Sequence, residues 1–109
     1  MSIKSFHLHL VSDATGETVI TVARGAVAQF NDVEAIEHLW SLVRSKDQLK
    51  RVLASVAANP GVVMFTLVDQ ELRQALQEGC RELDIPCIPL LDMVIATLSQ
   101  YLGVESQNL

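Results

Sequence analysis

The chain has 109 residues, of which 50% are hydrophobic and 19% are charged, so it is long and apolar enough for one small globular domain. A net charge of -5 argues against a nucleic-acid partner, and no apolar stretch approaches the roughly 20 residues needed to span a membrane. The N-terminus lacks the apolar segment of a signal peptide. Two isolated cysteines, Cys80 and Cys87, favour reduced core thiols over a disulfide or a metal pair. Together these properties predict a cytoplasmic protein.

The first half of the chain predicts two strand-then-helix units. Residues 6–11 alternate as a strand, and residues 16–30 follow as a helix. The predicted inward face of this helix comprises Val19, Val22, Ala23, Ala26, Val27 and Phe30. Val33–Trp40 is interrupted by charged residues, which is typical of an edge strand. Ser45-Lys46-Asp47 caps a second helix, and Asn59-Pro60-Gly61 ends it.

The second half predicts two more units. Residues 62–68 form an almost unbroken apolar run, as in a strand covered on both faces. Asp69 caps the next helix, for which we expect the inward residues Leu72, Ala75, Leu76 and Leu83. Residues 85–88 form a short strand, and residues 90–102 form a last helix that Gly103 ends. The apolar stripe of this last helix comprises Leu91, Val94, Ile95, Leu98 and Leu102.

Alternating strands and helices with short connections predict the α/β class, with three αβα layers and a parallel sheet of about four strands. The expected strand order is 2-1-3-4. The direction of the crossovers then reverses between the first and third strands, and ligands of such sheets bind beyond the carboxyl ends of the strands at that point. Residues 12–18 and 66–69 both lie at this end.

The segment Ser12-Asp13-Ala14-Thr15-Gly16-Glu17-Thr18 is typical of an anion site, because it joins a buried strand to a helix start with free backbone N–H groups. The candidate phosphate- or substrate-binding residues are Ser12, Thr15, Gly16, Thr18, Arg44 and Thr66. Asp13 is a candidate base or metal partner. The alternative, equally weighted, is a helix start capped by Asp13 or Thr15 with no ligand. The segment is neither a Walker A sequence nor a dinucleotide fingerprint, so no complete nucleotide site is expected.

The histidines and the tryptophan are candidates for a metal site or for contact surfaces. His7 and His9 share one strand face, where a two-histidine metal site competes with the favoured interpretation, a polar face near a subunit or domain contact. We expect His38, on the edge strand, to face solvent. Trp40 is expected to cover an edge or a partner surface.

The segment of residues 12–18 and the motifs after it resemble the regulatory proteins of pyruvate, phosphate dikinase and phosphoenolpyruvate synthase. The resemblance runs in order over the whole chain through Val22-Ala23-Arg24, Gln29-Phe30, Leu42-Val43-Arg44-Ser45, Ala58-Asn59-Pro60-Gly61, Phe65-Thr66-Leu67-Val68 and Cys80-Arg81-Glu82-Leu83. Ala14 departs from the family, which often has serine there. This leaves the hydroxyls of Ser12, Thr15 and Thr18 as candidates.

The resemblance implies a bifunctional kinase and phosphorylase. Such proteins use ADP to phosphorylate a threonine beside the catalytic histidine of the target, and they remove that phosphate with inorganic phosphate, which releases pyrophosphate. The family's P-loop lies in a second half that this sequence does not reach. Residues 1–109 would therefore be a single N-terminal α/β domain of a two-domain protein, without a cofactor of its own and inactive alone. ADP and phosphate would be substrates of the longer protein, with Mg²⁺ as a candidate metal.

The target that the resemblance implies is phosphoenolpyruvate synthase or pyruvate, phosphate dikinase, and both stay open. A homodimer is a further expectation, through an apolar edge left without its second domain. Two alternatives remain. One is a stand-alone flavodoxin-like or receiver-like anion-binding module, although this sequence lacks the acid pair and the lysine that receiver domains need. The other is a dimerisation domain in which the polar segment is incidental.

Overall fold

The computed structural model describes residues 2–106 as four alternating strands and helices. The strands are β1 (Lys4–Ser12), β2 (Val33–Trp40), β3 (Gly61–Thr66) and β4 (Cys87–Pro89). The helices are α1 (Glu17–Val27), α2 (Lys46–Ala58), α3 (Gln70–Glu82) and α4 (Asp92–Leu102). All eight predicted elements are therefore present. Among residues 2–106, none of the helices combines the length and apolarity needed to cross a membrane.

The four strands form one sheet in the order β2-β1-β3-β4, and each neighbouring pair is parallel. This confirms the predicted fold class and strand order. β1 and β3 lie at the centre, with Ser12 beside Thr66 at their carboxyl ends. The two strands approach so closely at Gly61 that a Cβ there would lie 1.9 Å from the carbonyl oxygen of His7. Only glycine fits this pairing without moving backbone.

The core consists of two clusters, one on each face of the sheet, because successive side chains of a strand point to opposite faces. Leu8 and Leu10 of β1 pack with Val19 and Ala23 of α1. The opposite cluster joins β1 and β3 to α2 and α3, through Val11, Val63, Phe65, Leu49, Val52, Val56, Leu72, Leu76 and Cys80. Right-handed crossovers explain which face of the sheet each helix covers. The chain crosses the sheet in one direction at α1 and in the opposite direction at α2 and α3.

Fewer of the predicted inward residues of α1 and α3 are buried than the sequence indicates. α1 ends at Val27, and Val22, Ala26 and Phe30 are exposed. The helix packs on the central strands β1 and β3 and buries only Val19 and Ala23 there, which lie one turn apart. Leu83 is also exposed rather than inward, because it is the C-cap residue of α3, and Ile85 beyond it enters the core instead.

The largest departure is α4, in which no residue is buried. Its predicted inward stripe is partly to mostly exposed, from 38% at Leu91 to 63% at Leu102. The helix follows a strand of only three residues at the edge of the sheet, so little sheet lies beneath it. The apolar spacing correctly predicts the helix and its face, but no element among residues 2–106 buries that face.

Candidate functional site: a cleft at the carboxyl ends of β1 and β3

A cleft of about 680 Å³ opens where the central strands end, at the predicted position. One wall is the segment of residues 12–18, which we call the β1–α1 loop. The floor and second wall come from Phe65–Val68, Gln70 and Arg73. Leu91, which precedes α4, and four residues of α4 also line the cleft: Asp92, Ile95, Ala96 and Ser99. The cleft thus brings together Ser12, Asp13, Thr15, Gly16, Thr18 and Thr66 of the predicted site.

Hydrogen bonds to distant parts of the chain hold the β1–α1 loop in place. The Ser12 hydroxyl, which is almost fully buried, accepts from the backbone N–H of Ala14 at 3.0 Å. The Asp13 carboxylate accepts from the N–H of Val68 at 2.9 Å. The carbonyls of Ser12 and Ala14 accept from Val43 and Leu42 of the segment after β2. The loop is therefore a rigid wall rather than a loose connection.

The start of α1 is open to the cleft. Gly16 is the N-cap residue, with a φ of 93°, and no side chain caps the helix. A capping role for Asp13 or Thr15 is therefore wrong, because Gly16 separates them from the helix and the Asp13 carboxylate bonds Val68 instead. The first-turn N–H groups keep the partial positive charge of an uncapped helix start. Glu17 and Thr18 of this turn line the cleft.

Arg44 supports the loop from outside. Its Nε donates to the carbonyl oxygen of Asp13 at 3.0 Å, and its backbone N–H donates to the Gln48 side chain at 2.7 Å. Arg44 is not among the residues that line the cleft. Its place in the structure is behind the β1–α1 loop, where it contacts backbone.

Arg73 is the cleft residue that sequence reasoning missed. Its Nη1 donates to the carbonyl of Leu67 at 2.9 Å, its Nη2 pairs with the Asp92 carboxylate, and its guanidinium lies 5.4 Å from the centre of the Phe65 ring. The residue lies four positions after the helix cap Asp69, one turn into α3. A basic residue one turn after a strand end is the signal that could have found it, because this spacing returns the side chain toward the strand end.

The histidines form a separate cluster on the α2 face of the sheet. The His9 ring is fully buried, and its Nε2 lies 2.9 Å from the carbonyl oxygen of Asn59 at the end of α2. His38 stacks on His9 with ring centroids 4.5 Å apart, and its Nε2 lies 2.9 Å from Nδ1 of His7. The expectation that His38 faces solvent is wrong, because the β1–β2 register places His38 beside His9 on the same face.

The cluster favours neutral imidazole at its centre. Burial lowers the pKa of His9, the hydrogen bond to Asn59 opposes this, and the positive charge that His38 and His7 can carry lowers it further. Since a carbonyl only accepts, Nε2 of His9 carries the proton. Within residues 2–106, no three His, Cys, Asp or Glu side chains are grouped as a metal site requires.

The other residues singled out from the sequence take part in core packing or helix capping. Trp40 is half-buried and packs against the core cluster under α2 and α3. Cys80 is buried, Cys87 is half-buried, and both are free thiols. Hydrogen bonding to Cys80 and burial raise the pKa of Cys87 well above the usual range. Asp69 caps α3, with its carboxylate 3.0 Å from the N–H of Leu72.

The chain is similar to known proteins over nearly its whole length. Residues 8–109 match the model of the kinase/pyrophosphorylase family. Three relatives share the name "Putative pyruvate, phosphate dikinase regulatory protein". The protein of Paramagnetospirillum magneticum is 58% identical over 103 residues, which is 94% of this chain and 33% of the relative. That of Caulobacter vibrioides is 57% identical over 100 residues, 92% of this chain and 32% of the relative. That of Rhodospirillum rubrum is 52% identical over 108 residues, 99% of this chain and 39% of the relative.

The chain therefore spans about a third of the length of the curated relatives that it matches. The family match covers nearly all of the chain, including both walls of the cleft. On this basis the chain belongs to the kinase/pyrophosphorylase family.

Proposed function

We propose that this chain forms the phosphate-binding part of a longer regulator of pyruvate, phosphate dikinase or phosphoenolpyruvate synthase. The observation that carries the proposal is the uncapped start of α1, which opens into a cleft at the carboxyl ends of the two central strands. Such a helix start favours an anion through its free N–H groups and its dipole. The relatives' name supports pyruvate, phosphate dikinase as the target.

The anion in this proposal is phosphate, pyrophosphate or the phosphothreonine of the target. The hydroxyls of Thr15, Thr18 and Thr66 lie on the cleft lining and supply donors beside the helix start. Ser12 has a different part, because its hydroxyl accepts from Ala14 and shapes the loop. Gly16 leaves the helix start free of a competing side-chain cap.

Asp13 is proposed as the base that would receive the proton of a threonine hydroxyl during its phosphorylation. Its carboxylate lines the cleft, and the bond from Val68 fixes its orientation. In the reverse reaction, phosphate would attack the phosphothreonine, so that the threonine oxygen leaves and takes up a proton while pyrophosphate forms. A carboxylate held at one position can serve both directions.

The longer protein would carry the full activity. Phosphoryl transfer needs a donor site, and usually a metal clamp, in addition to the acceptor site. Within residues 2–106 there is no P-loop sequence, so we assign ADP, with Mg²⁺ as its candidate metal, to the remaining part of the longer protein. This chain alone would then bind the anion without transferring a phosphoryl group. We also propose a cytosolic location, where the two free thiols remain reduced.

An NMR titration of the chain with pyrophosphate, and separately with phosphate, tests this function. We expect amide shifts at residues 12–18 and 66–68 that saturate at millimolar anion. Thr15→Val should weaken the binding, because it removes one cleft donor while keeping the shape of the side chain. Thr21→Val is the matched control, since Thr21 is an exposed threonine of α1 that does not line the cleft. Shifts that are absent, or that spread without preference for the cleft, would refute the proposal.

A further inference from the structure

Arg73 provides the positive charge of the cleft. The charged side chains that line it within residues 2–106 are Asp13, Glu17, Asp92 and Arg73, three carboxylates and one guanidinium. An anion entering this cleft meets more negative than positive charge. Hydroxyls and backbone N–H groups carry no full charge to offset those carboxylates. The guanidinium is therefore the group on which a phosphate would depend most.

The guanidinium is also held ready for such a contact. Nη1 donates a hydrogen bond to the Leu67 carbonyl, and the guanidinium lies over the Phe65 ring. The side chain is only 19% exposed, so its direction is set by its surroundings rather than by solvent. Arginine carries five N–H donors in a planar fork that matches two oxygens of a phosphate.

Asp92 occupies the place that the anion would take. Its carboxylate pairs with Nη2 of Arg73, and both residues line the cleft. Asp92 is the first residue of α4, whose apolar side chains are all at least partly exposed. Its side chain is 40% exposed and lies at a helix N-terminus, so the carboxylate can leave Arg73 for solvent at small cost.

We propose that Arg73 binds the phosphate group in the cleft, and that Asp92 holds its guanidinium until the anion displaces it. The proposal rests on the proposed function, because it assigns a further residue to the same site. Anion binding and the α3–α4 contact then compete for one guanidinium. By linkage, the anion loosens α4, and the α4 contact weakens anion binding by the same factor.

Pyrophosphate titrations of the unmodified chain and of variants at Asp92, Glu71 and Arg73, followed by amide NMR shifts, test the proposal. Asp92→Asn removes the competing charge and should bind pyrophosphate about five- to tenfold more tightly than the unmodified chain. Glu71→Gln is the control for net charge: Glu71 is an exposed residue of α3 that pairs with Lys46 outside the cleft. It should change the affinity by less than about twofold, as expected for a screened charge.

Arg73→Gln should weaken pyrophosphate binding at least about tenfold, in the unmodified background and in Asp92→Asn alike. Arg73→Lys keeps the positive charge but loses the planar pair of N–H donors, so it should also weaken binding. It is the second variant to measure if Arg73→Gln does not fold. In the unmodified chain, pyrophosphate should shift the amides of residues 91–95 together with those of the β1–α1 loop.

The outcomes separate the two proposals. If pyrophosphate shifts the β1–α1 loop with equal affinity in the unmodified chain and in both Arg73 variants, the role of Arg73 is overturned and the proposed function stands. If Asp92→Asn matches Glu71→Gln, the displacement of Asp92 is overturned. If pyrophosphate causes no shift in the unmodified chain or in Asp92→Asn, both proposals fail.

Discussion

The carboxylate of Asp13 and the backbone N–H of Val68 are joined by a hydrogen bond of 2.9 Å, across 55 positions of the chain. The bond connects the loop after β1 to the loop after β3. These two loops are opposite walls of the cleft. One side chain therefore links the two walls beyond the point where the pairing of β1 with β3 ends.

Replacement of Asp13 tests how much this bond stabilises the fold. Asp13→Ala should lower the free energy of unfolding by about 1–2 kcal/mol, because the Val68 N–H loses a charged acceptor. Asp13→Asn keeps an oxygen acceptor and should lose less than half as much. Urea unfolding followed by circular dichroism measures both. Equal losses in the two variants would mean that the negative charge, rather than the bond, stabilises the loop.

Gly61 and Gly25 should respond to alanine in opposite ways. A Cβ at Gly61 meets the His7 carbonyl at 1.9 Å, so Gly61→Ala must separate β1 from β3 and should destabilise the protein by about 3 kcal/mol. A Cβ at Gly25 meets nothing within 4 Å, and Gly25 lies inside α1. Gly25→Ala should stabilise by about 0.5–1 kcal/mol, through helix propensity. Thermal unfolding of the two variants gives the comparison, and a Gly61→Ala protein as stable as the parent would contradict the strand spacing.

The buried His9 should make the protein less stable in mild acid. Burial lowers its pKa in the folded state, whereas the unfolded chain keeps the ordinary value near 6.5. Above pH 6.5 both states are neutral and the full stability is present. As the pH falls from 6.5 toward the lower pKa of His9 in the folded state, the unfolded state binds a proton that the folded state does not bind. The free energy of unfolding therefore decreases.

Urea midpoints measured from pH 8 down to pH 5 check this for the parent and for His9→Gln. Glutamine can still donate to the Asn59 carbonyl, but it does not titrate. The parent should lose more stability than His9→Gln over this range. His7 and His38 are present in both proteins, so the difference reports His9 together with its charge coupling to these two neighbours. Parallel curves would show that His9 titrates alike in the folded and unfolded chain.

The two cysteines should react slowly in the folded protein. The thiolate is the reactive form, and the pKa of Cys87 is raised by its hydrogen bond with Cys80 and by burial. Labelling with an aromatic disulfide reagent at pH 8 should proceed about a hundredfold faster in denaturing urea than in buffer. Cys87→Ser, which leaves only the buried Cys80, should label more slowly still. Rapid labelling of the native parent would contradict the burial of the pair.

The fold was predictable because several local signals agree. The alternation in residues 6–11, the unbroken apolar run before Asp69, and the caps at Ser45 and Asp69 each mark one element. The rule of right-handed crossovers then orders the strands. Both caps are present, with Ser45 accepting from Gln48 and Asp69 from Leu72. The cleft followed from the same argument, because the order of the strands fixes where the crossovers diverge.

What the pattern could not give was contact between distant side chains. The spacing in α4 identifies an apolar face, but spacing carries no information on whether another element covers it. His38 was misplaced because its neighbours depend on the register of β1 with β2, which sets His9 opposite His38. Arg73 was missed because its importance comes from three partners, Leu67, Phe65 and Asp92, that only the folded chain brings to it.

The long-range bonds of the β1–α1 loop also determine when the cleft can form during folding. The loop's partners lie 31 positions away at Arg44 and 55 positions away at Val68. Contacts between distant positions form late, because the intervening chain must first lose its freedom. A nascent chain that has not yet paired β3 with β1 therefore has the residues of the cleft but not its shape. A ligand that needs that shape would bind only the folded sheet, and it would raise the stability of the whole sheet rather than that of the loop alone.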